Sequence, residues 1–162
     1  MDIRSFMESH YRHFNAGELT RCTSSLVGFL NSGGRLVLTL AGALSTAQIG
    51  HSLAPAIRAG KVHAISCTGA NLEEDLFLLI AGDNYETVED WRGQSLEQDH
   101  HLFERGMNRV TDVCIPEEEA IRRVESMMLD VWKEEPRFPH EHLYALLDRI
   151  DLGPRAKSSW LI

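Results

Sequence analysis

Three carboxylates in a row, Glu73, Glu74 and Asp75, follow the stretch Thr68-Gly69-Ala70-Asn71, which itself follows an apolar run, KVHAIS. Acids in that position can do two kinds of work. They can complement the positive end of a helix dipole, an effect of about 0.3–1 kcal/mol. They can also accept hydrogen bonds from a ligand, and each charge-assisted bond contributes roughly 1.5–3 kcal/mol when shielded from water. Neighbouring side chains on a helix diverge by about 100°, so Glu73 and Glu74 cannot form a dyad like that of an acid protease. One of the two suits ribose hydroxyls, the task of an acid after the second strand of a dinucleotide-binding fold. The other suits an ammonium group. Asp75 is read as complementing the dipole.

Other chemistry finds less support. The eight histidines include the adjacent His100 and His101, and His140 and His142 flanking Glu141, but neither set matches HExxH or a Cys/His finger. No metal site is expected. No GxSxG or Walker sequence occurs. Trp132 and Trp160 are read as packing residues, and Lys157, in a polar tail, is not read as a nucleophile.

The elements that must position these acids come from periodicity. Leu19, Cys22, Leu26, Phe29 and Leu30 form a helical stripe, stopped by Asn31-Ser32-Gly33-Gly34. The run RLVLTLAGA then predicts a strand buried on both faces. A helix is expected from about Ser45, capped by Ser45 or Thr46, with Ile49, Leu53 and Ile57 on one face. Pro55 should kink it or mark its late break, and Gly60 should close it. VHAISC predicts a second buried strand, and CTGANLEED opens a helix carrying Leu76, Leu79 and Ile80.

The strand ends lie about 27 residues apart, matching a βαβ unit of roughly 30. In a right-handed crossover the strands run parallel, so both following loops emerge on one edge of the sheet, where open α/β folds bind ligands. Each loop carries one glycine and leads into a helix N-terminus, which favours anions such as phosphate. Neither is the GxGxxG fingerprint.

Downstream, residues 82–108 read as polar and irregular, and Val110 to Ile115 as a short strand. Pro116 followed by Glu117, Glu118 and Glu119 predicts a helix start, with Ile121, Val124, Met128 and Val131 as its buried stripe. Pro139 predicts another helix with Leu143, Leu146, Leu147 and Ile150 inward. The fold class is α/β, a Rossmann-like parallel sheet with flanking helices, and residues 1–162 form one domain.

The bulk composition narrows the partners. The chain has 162 residues, 43% apolar and 25% charged, an ordinary globular balance. Its 24 acids against 16 Lys and Arg give a net charge of −8, which argues against nucleic acid and suits a cationic ligand. Cys22, Cys67 and Cys114 lack zinc or CxxC spacing and read as buried thiols in a reducing compartment. The N-terminus is too polar for a signal peptide, and no apolar run approaches membrane-spanning length. A cytoplasmic protein without a membrane partner is expected.

Five blocks, HFNAGELTRC, LTLAGALSTAQIG, VHAISCTGANLEEDLF, MNRVTDVCIPEEEAIRR and FPHEHLY, resemble in order the N-terminal half of the deoxyhypusine synthase family. The likeness is nearest to its bacterial deoxyhypusine synthase-like branch, with homospermidine synthases as relatives. The resemblance implies an NAD-dependent α/β transferase, usually a homotetramer. Such an enzyme oxidises spermidine, captures an aminobutyl group on a lysine and passes it to a protein lysine or a small diamine. It further implies that Ala41, Gly42, Ala43, Leu44 and Ser45 are the first NAD-contacting loop. Thr68, Gly69 and Ala70 match the family's Thr-Ala-Gly loop, with Asn71 where the family has glycine. Glu74 matches an acid near the cofactor, and Glu73 and Glu74 match the pair assigned to spermidine. The family's catalytic lysine lies beyond the matching half. The chain is therefore expected to be an incomplete half of a larger domain, inactive alone, partnered by a C-terminal half or by copies of itself. A non-catalytic NAD- or polyamine-binding or assembly subunit, or a truncated inactive remnant, are the alternatives.

Overall fold

The computed structural model describes residues 2–162. Two helices come first, α1 (Ile3–His10) and α2 (Phe14–Asn31). A crossover follows: β1 (Val37–Leu40), α3 (Gly50–Arg58), β2 (Ala64–Cys67) and α4 (Gly69–Ala81). β1 and β2 pair in parallel, Val37 beside Ala64 through Leu40 beside Cys67. The βαβ unit is thus present, as the sequence predicts.

Its helix starts late. Residues 42–49 form consecutive turns, and α3 begins at Gly50 with Ile49, not Ser45 or Thr46, at its cap. Ser45 and Thr46 are buried instead, and hold their own tertiary partners. Leu53 is buried and Ile49 and Ile57 half-buried, as their spacing requires. Pro55 lies in the last turn, and Gly60 (φ +66) closes the helix, with Lys61 N donating to Ala56 O at 2.9 Å and Gly60 N to Ile57 O at 2.8 Å. That paired pattern is the glycine C-cap that satisfies carbonyls of the last turn, here those of Ala56 and Ile57.

The strands are not buried on both faces. Leu38, Leu40, Ile65 and Cys67 point to the covered side, whereas Val37, Thr39, Ala64 and Ser66 are exposed. A parallel sheet is ordinarily covered twice; here nothing among the described residues lies over the second face. The same absence explains α2. Its stripe is unburied, with Leu19 52%, Leu26 44% and Phe29 52% exposed, and Gly17 is the only buried residue of the helix. Cys22 is therefore an exposed thiol, contrary to expectation, while Cys114 is buried and Cys67 half-buried.

Residues 82–108 are more ordered than their polarity suggests. They hold β3 (Glu86–Thr87), α5 (Leu96–Glu104) and the start of β4 (Met107–Val110). Ser95 and Gln98 cap α5 reciprocally, at 3.2 and 2.8 Å. The single strand expected near Val110 is a hairpin of β4 and β5 (Val113–Pro116), with Val110 beside Val113 and β3 on the other side of β5. Pro116 ends β5 and precedes a π-helical turn, Glu117–Arg122, before α6 (Arg123–Glu134). Pro139 opens α7 (Pro139–Leu147) at its first position.

The core forms where α4 meets β5, α6 and α7. Leu76, Phe77, Leu79 and Ala81 pack with Ile115, Ala120, Val124, Val131 and Leu146. Every inward residue predicted for α4, α6 and α7 belongs to this cluster or packs against it. The acids of α4 are consequently carried on the most firmly held helix of the protein.

Candidate functional site

The loops after β1 and β2 emerge side by side because the strands are parallel, and one side chain ties them together. Asn71 is fully buried. Its Oδ1 accepts from Leu44 N (3.1 Å) and Ser45 N (3.2 Å), and its Nδ2 donates to Ala41 O (2.6 Å) and Thr68 Oγ1 (3.2 Å). Ser45 Oγ donates back to Asn71 O at 2.7 Å. An Asn side chain has two donor hydrogens and an acceptor oxygen with two lone pairs, so Asn71 uses all four capacities. It is the residue that sequence reasoning undervalued. Its signal was present: an amide in a small-residue loop, facing a second loop with unpaired N–H groups.

Glu74 makes the second link. Its Oε2 accepts from Thr46 N at 3.1 Å. Two hydroxyls in this region, Thr46 Oγ1 and Tyr85 Oη, are buried without a hydrogen-bond partner among the described residues. Burial, reinforced by the Glu74 charge, holds the Tyr85 proton well above its usual range.

These bonds decide which backbone donors remain. Leu44, Ser45 and Thr46 give their N–H groups to Asn71 and Glu74, and Ala47, Gln48 and Ile49 give theirs within the turns. The first loop is thus a closed structure with Ala41, Gly42 and Ala43 exposed, Leu44 half-buried and Ser45 inside. The second loop differs. Gly69 and Ala70 stand in the first turn of α4, where N–H groups have no intrahelical acceptor. A Cβ on Gly69 would meet nothing within 4 Å, so a ligand can approach the backbone there. Gly42 lies close by, with Thr68 Oγ1 3.7 Å from where its Cβ would be.

The acids occupy different surroundings. α4 starts at Gly69 and carries no acid in its first turn, so none of the three sits where the dipole acts strongly. Glu74 faces the first loop. Glu73, exposed, lines a groove of about 580 Å³ between α4 and the α6–α7 pair, with Gly69, Leu76, Val124, Glu125 and Leu143. Asp75 is buried, 3% exposed, which corrects the expectation of a dipole role. Its Oδ2 accepts from Ser159 Oγ (2.5 Å) and Leu161 N (3.3 Å). Burial raises its pKa despite those bonds.

A family model described as Deoxyhypusine synthase matches residues 5–159. The chain belongs to the deoxyhypusine synthase family. No curated protein matches it. Deoxyhypusine synthases are transferases, and the mixed α/β architecture with its parallel strand pair is consistent with a Rossmann-like fragment. No metal-binding group of His, Cys, Asp and Glu occurs among the described residues. Among them, too, no helix is long and apolar enough to cross a membrane.

Seen as a deoxyhypusine synthase, the chain puts Asn71 where the family pattern has glycine, and the structure gives that asparagine a task. Ala41, Gly42 and Ala43 form an exposed ledge beside the exposed Thr68 and Gly69 and the half-buried Ala70, and the carboxylate of Glu74 lies behind them. Gly69 and Ala70 N–H groups suit an anionic phosphate. Trp160, read as packing, is half-buried and donates Nε1–H to Ser45 Oγ at 3.0 Å, whereas Trp132, read the same way, is largely exposed.

Proposed function

We propose that the chain is the N-terminal portion of an NAD-dependent aminobutyltransferase. That enzyme oxidises spermidine and transfers the aminobutyl group to an amine acceptor, a protein lysine or a small diamine, and the chain alone does not turn over. Ala41, Gly42, Ala43, Leu44, Ser45, Thr68, Gly69, Ala70 and Glu74 are the proposed cofactor residues. Glu73 and Glu74 are the proposed grip on the polyamine. NAD, when bound, supplies the hydride acceptor; the chain binds, orients and holds charge. The observation that carries this reading is family membership combined with the open backbone at Gly69, one turn below Glu73 on the same helix face.

Catalysis requires a lysine that this reading assigns to a C-terminal half or partner chain, in a cytoplasmic oligomer. Several surfaces support such an arrangement. One face of the β1–β2 sheet and most of α2 are uncovered. The chain exposes 10947 Å², against about 8,100 Å² for a compact monomer of this mass. The excess, about 2,800 Å², is of the order that obligate interfaces bury. The same surfaces favour the second reading, a non-catalytic NAD- or polyamine-binding or assembly subunit.

Titration with NAD of the wild type and of Gly69→Val tests the cofactor assignment. The valine leaves the fold intact, because the position is open, and abolishes saturable binding by blocking the backbone. Unchanged titration in the variant overturns the loop assignment. Adding spermidine and a lysine-bearing partner then separates the two readings, since turnover appears only under the first.

A further inference from the structure

Residues 155–161 run across the outside of the βαβ unit and are fastened at five places. Arg58 donates to the carbonyls of Lys157 (2.7 Å), Ala156 (2.8 Å) and Ser159 (3.1 Å). Arg155 Nε donates to Leu79 O at 3.2 Å, and its guanidinium pairs with Asp83. Asp75 holds Ser159 and Leu161, and Trp160 reaches Ser45. The Ser158 carbonyl lies so close to Gly50 that a Cβ on that glycine would overlap it.

Two of these fastenings land on the first loop or its immediate end: Ser45 lies within it, and Gly50 is where its turns become α3. That loop carries two non-glycine residues at positive φ, Ala43 (+63) and Gln48 (+58). Such conformations persist only where surrounding structure over-determines them. Asn71 and Glu74 constrain the 44–46 stretch, Trp160 adds a bond to Ser45 there, and Ser158 covers Gly50 where the loop ends. The segment is held by these hydrogen bonds and by Leu161, which packs against the core, and Ser159 is its only buried residue. A cavity of about 220 Å³, lined by Gln48, His51, Asp75, Arg155 and Ser159 among others, separates parts of it from the body. A segment held largely by polar bonds, with one apolar anchor in Leu161, opens locally at a lower free energy than the core elements do.

We propose that residues 155–161 are a releasable latch whose docking on Ser45, Gly50 and Asp75 sets the conformation of the 41–49 loop. When the latch leaves, Ser45 loses its outer partner, Gly50 loses its cover, and the loop relaxes from its positive-φ turns. Any ligand that prefers the set loop binds more tightly with the latch docked, and by linkage its binding favours docking. The latch does not depend on what the loop binds; its effect on NAD affinity rests on the cofactor reading above.

Hydrogen exchange on the 162-residue chain without any ligand tests it. Gly50→Ala is the main variant, because alanine favours the helix it joins and only the Ser158 carbonyl opposes it. The Leu161 amide should exchange at least about tenfold faster, as expected for an opened segment. The Leu44, Ser45 and Thr46 amides should accelerate with it, while those of α6 and α7 keep wild-type rates. Trp160→Phe, which removes the N–H donor to Ser45 and one ring of the indole, should give a smaller change of the same pattern and serves if Gly50→Ala does not fold. A fast Leu161 amide with unchanged loop amides overturns the proposal, and so does a Leu161 amide that stays protected in Gly50→Ala. Because no cofactor is present, failure here leaves the NAD assignment standing, and failure of NAD binding leaves the latch standing.

Discussion

Asn71 and Ser45 hold each other reciprocally: Ser45 N donates to Asn71 Oδ1 at 3.2 Å, and Ser45 Oγ donates to Asn71 O at 2.7 Å. Both residues are almost wholly inaccessible to water. The pair joins the loops after two parallel strands that are 27 residues apart at their register, so the ledge facing a ligand is built from two loops acting as one.

Replacing Asn71 with alanine would take the partners from the Leu44 N–H and the Ala41 carbonyl, both partly shielded, and from the buried Ser45 N–H. Each unsatisfied group costs about 1–3 kcal/mol, and the loop relaxes to rehydrate some of them. A net loss of about 2–4 kcal/mol is expected in urea denaturation, together with weaker NAD binding. A loss below about 0.5 kcal/mol, the range of ordinary surface changes, would show that the clamp is redundant.

Glu73→Gln and Glu74→Gln remove charge while keeping shape. Each should weaken spermidine binding by about tenfold or more, as expected for one charge-assisted bond of roughly 1.5–3 kcal/mol. The two variants should differ in stability. Glu73 is exposed and its variant should melt like the wild type, whereas Glu74 accepts from Thr46 N and its variant should melt slightly lower. Calorimetric titration with spermidine checks the first point. Equal affinity in all three proteins removes the carboxylates from the substrate site.

Asp75 gives a pH signature of defined sign. Burial raises its folded pKa above the unfolded value of about 3.9. The folded state therefore keeps this proton to higher pH than the unfolded chain does, so Asp75 favours folding at low pH. Its contribution falls as pH rises from about 4 towards the raised folded value, and is constant above it. Asp75→Asn should lack that part of the stability–pH slope, which denaturation across pH 4 to 8 would reveal. A wild-type and variant pair with parallel curves would mean that Asp75 is solvated in solution.

Two leucines test where the core ends. Leu146 is fully buried among α4, α6 and α7 residues, and Leu146→Ala should cost about 2–5 kcal/mol. Leu26, 44% exposed on α2, should tolerate alanine within about 0.5 kcal/mol in the isolated chain. Thermal unfolding measures both, and a large loss at Leu26 would place α2 in a packed layer.

Periodicity located the helices that bury a stripe. Val124, Val131 and Leu146 sit inward because a 3.6-residue repeat leaves no other face for them. It located α2 as well, ending at Asn31 as the Asn-Ser-Gly-Gly run predicts, but there Leu19, Leu26 and Phe29 share a face that none of the described residues covers. It was silent at α5, where Leu96 and Phe103 are exposed and only the Ser95 and Gln98 capping signal marks the helix.

Sequence alone determined the βαβ unit, the family and the nearness of the two loops, since all three depend on local pattern and on the handedness of a short crossover. Tertiary structure alone decided which polar groups remain free. Ser45 looked like a helix cap and became a buried link to Asn71 and Trp160; Asp75 looked like a dipole partner and became the anchor of Ser159 and Leu161. Those partners lie 26 to 115 residues away in the chain. A local pattern specifies which side chains carry hydrogen-bonding groups, but the partner that satisfies a buried one is chosen only when distant segments meet.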